Sequence, residues 1–325
     1  MPPRRSYAHC VLVTLCGGVG AARMLSGLIR IVSPGDITAI VNVGDDMVLH
    51  GLHISPDLDT VTYTLAGMDN RETGWGLSGE SWTVMEELAQ LGGESWFRLG
   101  DRDLATHLFR TERLRSGQPL SAVTAAIAHQ RGIGVRLLPV TDDVLRTRLT
   151  LDEDTELGPA GTEVAFQDYF VRLHHGVAVS AVRFEGAEAA RPAPGVLESL
   201  EEATQIVVCP SNPIVSIGPL LAVPGILDIL TARRRQVIAV SPIVAGVALK
   251  GPADRLMAEL GTEPSVVGVA RLYAPWTSTL VIDEADRDRV TAVEAEGIRC
   301  VVAPTIMNSP DRAAALAQRV LDAGD

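Results

Sequence analysis

Short runs of valine, isoleucine and leucine recur along the chain, each closed within a few residues by Gly, Pro, Asn or Asp and then followed by a helical pattern. They occupy residues 10–15, 37–43, 135–140, 205–209, 236–240 and 298–303. The runs are continuously apolar rather than alternating, as strands covered on both faces of a parallel sheet must be. The pattern predicts an α/β fold, a Rossmann-like and mostly parallel sheet with helices packed on it.

Two stretches break this rhythm. Residues 51–134 carry a largely helical pattern and read as a helical insertion. Residues 146–184 contain β-like runs at 163–173 and 178–184 around a polar turn, and read as a smaller β-containing insertion. No linker rich in Pro, Gly or Ser divides the chain, so residues 1–325 are expected to form a single domain.

Composition narrows the function. The 28 basic residues stand against 40 acidic ones, a formal charge of −12, which argues against nucleic acid and against an anionic membrane surface as partners. Any phosphate-bearing ligand must then be held by local devices. Cys10, Cys16, Cys209 and Cys300 form no C-x-x-C pair and read as reduced core thiols. Arg4 and Arg5 precede an apolar run too short for a signal peptide, and no run approaches the length of a bilayer span. A cytoplasmic protein is expected.

Four loops that follow strands carry the candidate chemistry. Gly17, Gly18, Val19, Gly20 and Ala21 lie between a strand and a helix, where glycines permit a tight turn and free N–H groups face a phosphate at the positive helix end. Arg23 replaces the small residue of a dinucleotide fingerprint, and no Gly-Lys-Ser/Thr follows, so a nicotinamide enzyme and a P-loop ATPase are both disfavoured. Asp45, Asp46, Asp57 and Asp59 fall within fifteen positions in loops containing glycine or proline, and together they can offer oxygen ligands to Mg²⁺. Each alone also reads as a solvated loop residue or helix cap. The loops Ser211-Asn212-Pro213 and Ser241-Pro242 close two further strands, so all four loops share the carboxyl edge at which open α/β sheets bind ligands.

The insertion adds Arg98, Asp101 and Arg102 before a predicted helix that runs through His107. Guanidinium forks suit anionic substrate groups, while the aspartate reads equally as a helix cap. Trp75, Trp82, Trp96 and Phe97 lie nearby and can stack on a planar ring or pack in a core.

In this order, CGGVGAAR, VNVGDD, SPDLDT, LGDRDLATH, LLPVTDD, PSNP with IVSIGPLLAVPGI, and SPIVAGVALKGPAD resemble the 2-phospho-L-lactate transferases of coenzyme F₄₂₀ biosynthesis. The actinobacterial members of that family are also called phosphoenolpyruvate transferases. The resemblance implies a Mg²⁺-dependent transfer to the ribityl hydroxyl of 7,8-didemethyl-8-hydroxy-5-deazariboflavin (Fo) from a guanosine-diphospho-linked three-carbon acid. GMP leaves, and the product is coenzyme F₄₂₀-0 or its dehydro form.

The same resemblance implies that Asp45 and Asp59 hold the metal, with Asp46 and Asp57 beside them, and that residues Gly17 to Ala21 cradle the diphosphate. Ser211, Asn212 and Ser241 would contact the guanine nucleotide. Trp82, Arg98, Asp101 and Arg102 would bind the deazaflavin, and the assembly would be a homodimer. Val19 and the Gly44-Asp45-Asp46 run match the actinobacterial style and point to the enolpyruvyl donor. A non-catalytic nucleotide-sugar-binding regulator of the gluconeogenesis-factor type is the competing reading.

Overall fold

The computed structural model describes residues 11–72 and 74–324. The chain opens with β1 (Leu12–Cys16), α1 (Gly18–Leu28) and β2 (Ile37–Val41), followed by a hairpin of β3 (Met47–Leu49) and β4 (Leu52–Ile54). Four helices come next, α2 (Pro56–Leu65), α3 (Thr83–Gln90), α4 (Asp103–Arg115) and α5 (Leu120–Gln130), before β5 (Arg136–Pro139). Strands β6 (Arg146–Leu151), β7 (Glu163–Ala165) and β8 (Val179–Glu185) form a separate antiparallel sheet in the order β7-β6-β8. Then follow α6 (Val196–Glu202), β9 (Gln205–Val208), α7 (Gly218–Ala222), α8 (Ile226–Ala232) and β10 (Val237–Val240). A second hairpin, β11 (Ile243–Val244) and β12 (Val247–Ala248), precedes α9 (Ala253–Glu259), α10 (Val266–Tyr273) and β13 (Thr279–Ile282). The chain closes with α11 (Val290–Ala295), β14 (Arg299–Val302) and α12 (Pro310–Asp322).

Seven strands build the central parallel sheet in the order β14-β13-β10-β9-β1-β2-β5. Every residue of β1, β2, β9, β10 and β13 is buried, because helices cover both faces and leave no position for a polar alternation. The strand order reverses between β1 and β9, and Leu15 stands opposite Val208 at that seam. Ligands of open α/β sheets sit at such a reversal, beyond the carboxyl ends of the strands.

Against the sequence expectations, the six apolar runs all become strands of this sheet, five of them trimmed by a residue or more and the first shifted to Leu12–Cys16. Cys10, the first residue of the first run, lies outside the described residues. Strand β13 is a seventh member that the pattern did not reveal. The 163–173 run is β only at β7; residues Asp168–Arg172 wind into a π-helical turn, since Phe166, Tyr169 and Phe170 recur at helical spacing and pack on one another. The 51–134 stretch holds four helices, α2 to α5, with β4 at its start and irregular loops between the helices, one of them carrying an isolated bridge between Asp69 and Leu77; its α3 end keeps a small core of Leu49, Ile54, Met85 and Leu99. No single helix among the described residues is long and apolar enough to cross a membrane.

Candidate active site

The site forms where the loops after β1, β2 and β9 meet. Gly17 caps α1 in an extended conformation, and a Cβ on Gly20 would lie 1.9 Å from the Pro210 carbonyl oxygen. That contact leaves room for hydrogen only, which explains why the helix begins on glycines at this seam. The Gly17 N–H donates to Ser211 Oγ at 3.2 Å, across the strand-order reversal. The Gly18 N–H donates to Asp57 Oδ1 at 2.8 Å. A carboxylate therefore already occupies the positive end of α1. Because the Ala21 N–H closes the first turn of α1 onto the Gly17 carbonyl, three of the loop's five N–H groups are engaged within the protein.

Asn42 fastens the second loop to this point. Its Nδ2 donates to Asp57 Oδ2 at 2.9 Å, and its Oδ1 accepts the Gly44 N–H at 2.8 Å. The Gly44 carbonyl accepts the Thr147 N–H at 2.7 Å, so β6 buttresses the aspartate loop. Burial pushes the Asp57 carboxyl up to about 6 despite the donors Asn42 and Gly18. Burial also holds Asp45 well above the usual carboxylate range, reinforced by the neighbouring charges of Asp57 and Asp46. Asp46 is raised to about 7, again by burial, even though its Oδ2 accepts the Ser55 hydroxyl at 2.7 Å.

Three oxygens in this region, Asp45 Oδ1, Asp46 Oδ1 and Thr147 Oγ1, are buried without a hydrogen-bond partner. Buried polar atoms normally find partners, and carboxylates crowded together in low dielectric favour protonation or a cation. Oxygen donors with unclaimed lone pairs fit a hard divalent ion such as Mg²⁺.

Asp59 has a different environment from the one expected of a metal ligand. It lies inside α2, 6 % exposed, and both of its oxygens face the Arg110 guanidinium, Oδ2 at 3.1 Å from Nη1 and Oδ1 in close contact with Nη2. Burial alone would lower the Arg110 pKa, but the Asp59 charge outweighs it and raises that value. His107 Nδ1 stands 3.7 Å from Asp59 Oδ2, and its Nε2 stands 3.1 Å from Asp103 Oδ2. Asp103 also accepts the Tyr63 hydroxyl. Asp59, Asp103 and His107 gather ligand-type atoms within 4.8 Å, yet Arg110 already supplies positive charge there. Arg110 thus neutralises Asp59, whereas Asp45 Oδ1 and Asp46 Oδ1 have no hydrogen-bond donor among the described residues. Asp103, His107 and Arg110 recur at i, i+4 and i+7 and share one face of α4, a spacing legible in the sequence itself.

The aromatic end of the insertion forms a small cleft whose walls include Asn70, Trp75, Trp82, Arg98 and Asp103. The Arg98 guanidinium lies 4.3 Å over the Trp82 ring, which holds both groups flat on the cleft wall. Asp101 turns away from it and caps α3: its oxygens accept the Ser81 hydroxyl at 2.7 Å and the Thr83 and Val84 N–H groups at 3.1 Å. The Ser81 and Val84 hydrogen bonds hold its carboxyl below the usual range. Arg102 donates to the Ser78 carbonyl, so both residues shape the turn before α3.

The remaining predicted residues also spend their side chains locally. Asn212 Oδ1 accepts from Ile214 and Val215 at the start of the Pro213–Ile217 turn. Ser241 Oγ accepts the Ile243 N–H and donates to the Ile243 carbonyl.

Residues 12–307 match the family described as 2-phospho-L-lactate transferase CofD. The phosphoenolpyruvate transferase of Streptomyces griseus is 46% identical over 313 residues, covering 96% of this chain and 97% of the relative. That of Nocardia farcinica is 42% identical over 312 residues, covering 96% and 94%. Among solved structures, protein BH3568 of Bacillus halodurans matches with a TM-score of 0.60 at 16% identity, over 96% of this chain and 99% of that one, which supports the fold alone. With a seven-stranded parallel sheet, loops meeting at its switch point and full-length relatives of this kind, the chain belongs to the CofD family of transferases acting on phosphorus-containing groups.

Proposed function

We propose that the protein transfers the phosphoenolpyruvyl group, or its phospholactyl counterpart, from a guanosine-diphospho donor to the terminal ribityl hydroxyl of Fo in coenzyme F₄₂₀ biosynthesis. The hydroxyl oxygen bonds to the phosphorus that carries the three-carbon acid, the bond from that phosphorus to the GMP oxygen breaks, and GMP departs with the electron pair. The observation that carries this reading is the set of buried carboxylates Asp45, Asp46 and Asp57 at the switch point, with unclaimed oxygens on Asp45 and Asp46. Relatives named phosphoenolpyruvate transferase along nearly their full length favour the enolpyruvyl donor.

Asp45 and Asp46 would hold the magnesium ion, with Asp57 on their flank and Thr147 Oγ1 as a neutral oxygen beside them. When bound, the ion screens phosphate charge and stabilises the negative charge that grows on the departing GMP. The chain's other residues position the reactants. Trp82 and Arg98 offer a flat, cationic wall for the deazaflavin ring, and Asp103 lines the same cleft. The N–H groups of Val19 and Gly20 continue the phosphate-facing turn whose first two members bind Ser211 and Asp57. The hydroxyl proton passes to a carboxylate oxygen of this group and on to water; a loose phosphoryl transition state asks little strength of that base.

The test is to incubate purified protein with Mg²⁺, Fo and either guanosine donor and to separate the products by chromatography. Loss of Fo with equimolar GMP is expected, faster with the enolpyruvyl donor. Retention of a UDP-sugar with no loss of Fo would contradict the reading and favour the regulator.

A further inference from the structure

Tyr63, Asp103 and His107 build a network that ends at the wall of the aromatic cleft. The Tyr63 hydroxyl donates to Asp103 Oδ1, and His107 Nε2 stands 3.1 Å from Asp103 Oδ2. On its other side, His107 Nδ1 faces Arg110 Nη1 at 3.3 Å. A guanidinium has only hydrogens to offer, so Nδ1 acts as the acceptor and the ring hydrogen is assigned to Nε2, on the Asp103 side. Arg110 is in turn held by both oxygens of Asp59, which fixes the imidazole from behind.

Tyr63, His107, Arg110 and Asp59 are all buried, whereas the Asp103 side chain keeps 17% of its surface open and lines the cleft with Trp82 and Arg98. The network thus aims its sealed donors at one carboxylate that faces outward. The Asp103 main chain is pinned as well, its N–H donating to Glu80 Oε1 at 2.8 Å. Burial alone would raise the Asp103 carboxyl, but the His107 ring, the Tyr63 hydroxyl and the Arg110 charge together hold it below the usual carboxylate range. Burial and the charges of Asp59 and Asp103 raise the Tyr63 phenol, so it stays protonated as the donor. A carboxylate offers about four lone-pair sites, of which Tyr63 and His107 take two.

We propose that Asp103 accepts a hydrogen bond from a hydroxyl of the acceptor alcohol, and that Tyr63 and His107 are positioning residues that keep its carboxylate aimed into the cleft. An alcohol suits this group because it brings a donor to the remaining lone pairs, while Trp82 suits an aromatic ring on the same molecule. Only the identity of that alcohol, Fo, rests on the function proposed above.

Calorimetric titration of Fo and of GDP, each with Mg²⁺, into wild type, Asp103→Asn, Tyr63→Phe, His107→Leu and His107→Gln tests this assignment. Asp103→Asn should lose roughly 10- to 100-fold in Fo affinity, the cost of a hydrogen bond to a charged group. Tyr63→Phe and His107→Leu should lose about 3- to 10-fold. His107→Gln, whose amide can still donate toward Asp103, should recover most of that loss. GDP affinity should match wild type throughout, and in turnover the Fo KM should rise while the donor KM does not. Folded Asp103→Asn and Tyr63→Phe proteins that bind Fo like wild type would overturn the assignment, as would a wild type that binds no Fo. Variants that lose Fo and GDP in parallel would also overturn it, since a purely structural network behaves that way. A wild type that binds Fo through Asp103 but releases no GMP from a guanosine donor would support the assignment and refute the transferase reading. Turnover of Fo with a KM untouched by Asp103→Asn would overturn the assignment and leave that reading standing.

Discussion

Asp46 and Asp57 show how the site is poised at the level of single residues. Their carboxyls stand at about 7 and about 6 against an ordinary 3.8, and burial is the first cause in both. A raised folded-state value means that the folded protein binds more protons than the unfolded chain between those limits. Stability from these groups is then fully present below the ordinary carboxylate range and is lost as pH rises through the folded values. Melts of EDTA-treated protein should accordingly show Tm falling from about pH 5 to about pH 8, with added Mg²⁺ restoring Tm most at the upper end. A Tm that ignores both pH and Mg²⁺ across this window would contradict the assignment. Asp45, Asp46 and Asp57 were legible in the sequence as acidic residues in turn-forming loops. The fate of Asp59 was not, because its partner Arg110 lies fifty-one positions away and only tertiary packing brings α4 onto α2.

At the scale of elements, close backbone approach governs the frame that holds the loops. Helix α1 lies against α12 so tightly that a Cβ on Gly27 would come within 2.3 Å of the Ala313 carbonyl oxygen. Backbone cannot yield there, so Gly27→Ala should push the helices apart and cost about 1–3 kcal/mol in urea unfolding. Gly35→Ala, with nothing within 4 Å of the added carbon, should stay within about 0.5 kcal/mol. Equal stability of the two variants would refute this account of the α1–α12 packing. Continuous apolar runs made the strands readable because double burial leaves no other composition possible. Strand β13 escaped notice since it is four residues long, opens on Thr279 and is flanked by Ser278 and Asp283, which together resemble a loop. In the antiparallel excursion, β-prone aromatics masked the helical spacing of Phe166, Tyr169 and Phe170.

For the whole molecule, one sheet edge gathers loops from distant parts of the chain. The reversal between β1 and β9 opens a crevice, α1 and α2 bring Asp57 to it, and β6 reaches in from a separate sheet to brace Gly44. A −12 protein that handles phosphates needs compensating cations at that edge, and the architecture gathers the buried carboxylates Asp45, Asp46 and Asp57 there. The central claim is that Asp45 and Asp46 together hold a divalent ion. Titration of Mn²⁺, followed by its paramagnetic resonance signal with GDP present, addresses it directly in wild type and in Asp45→Asn and Asp46→Asn. The expected result is saturable binding in wild type that weakens roughly 100-fold in each variant, as losing an anionic ligand from an oxygen site requires. Unchanged Mn²⁺ affinity in both folded variants would contradict it.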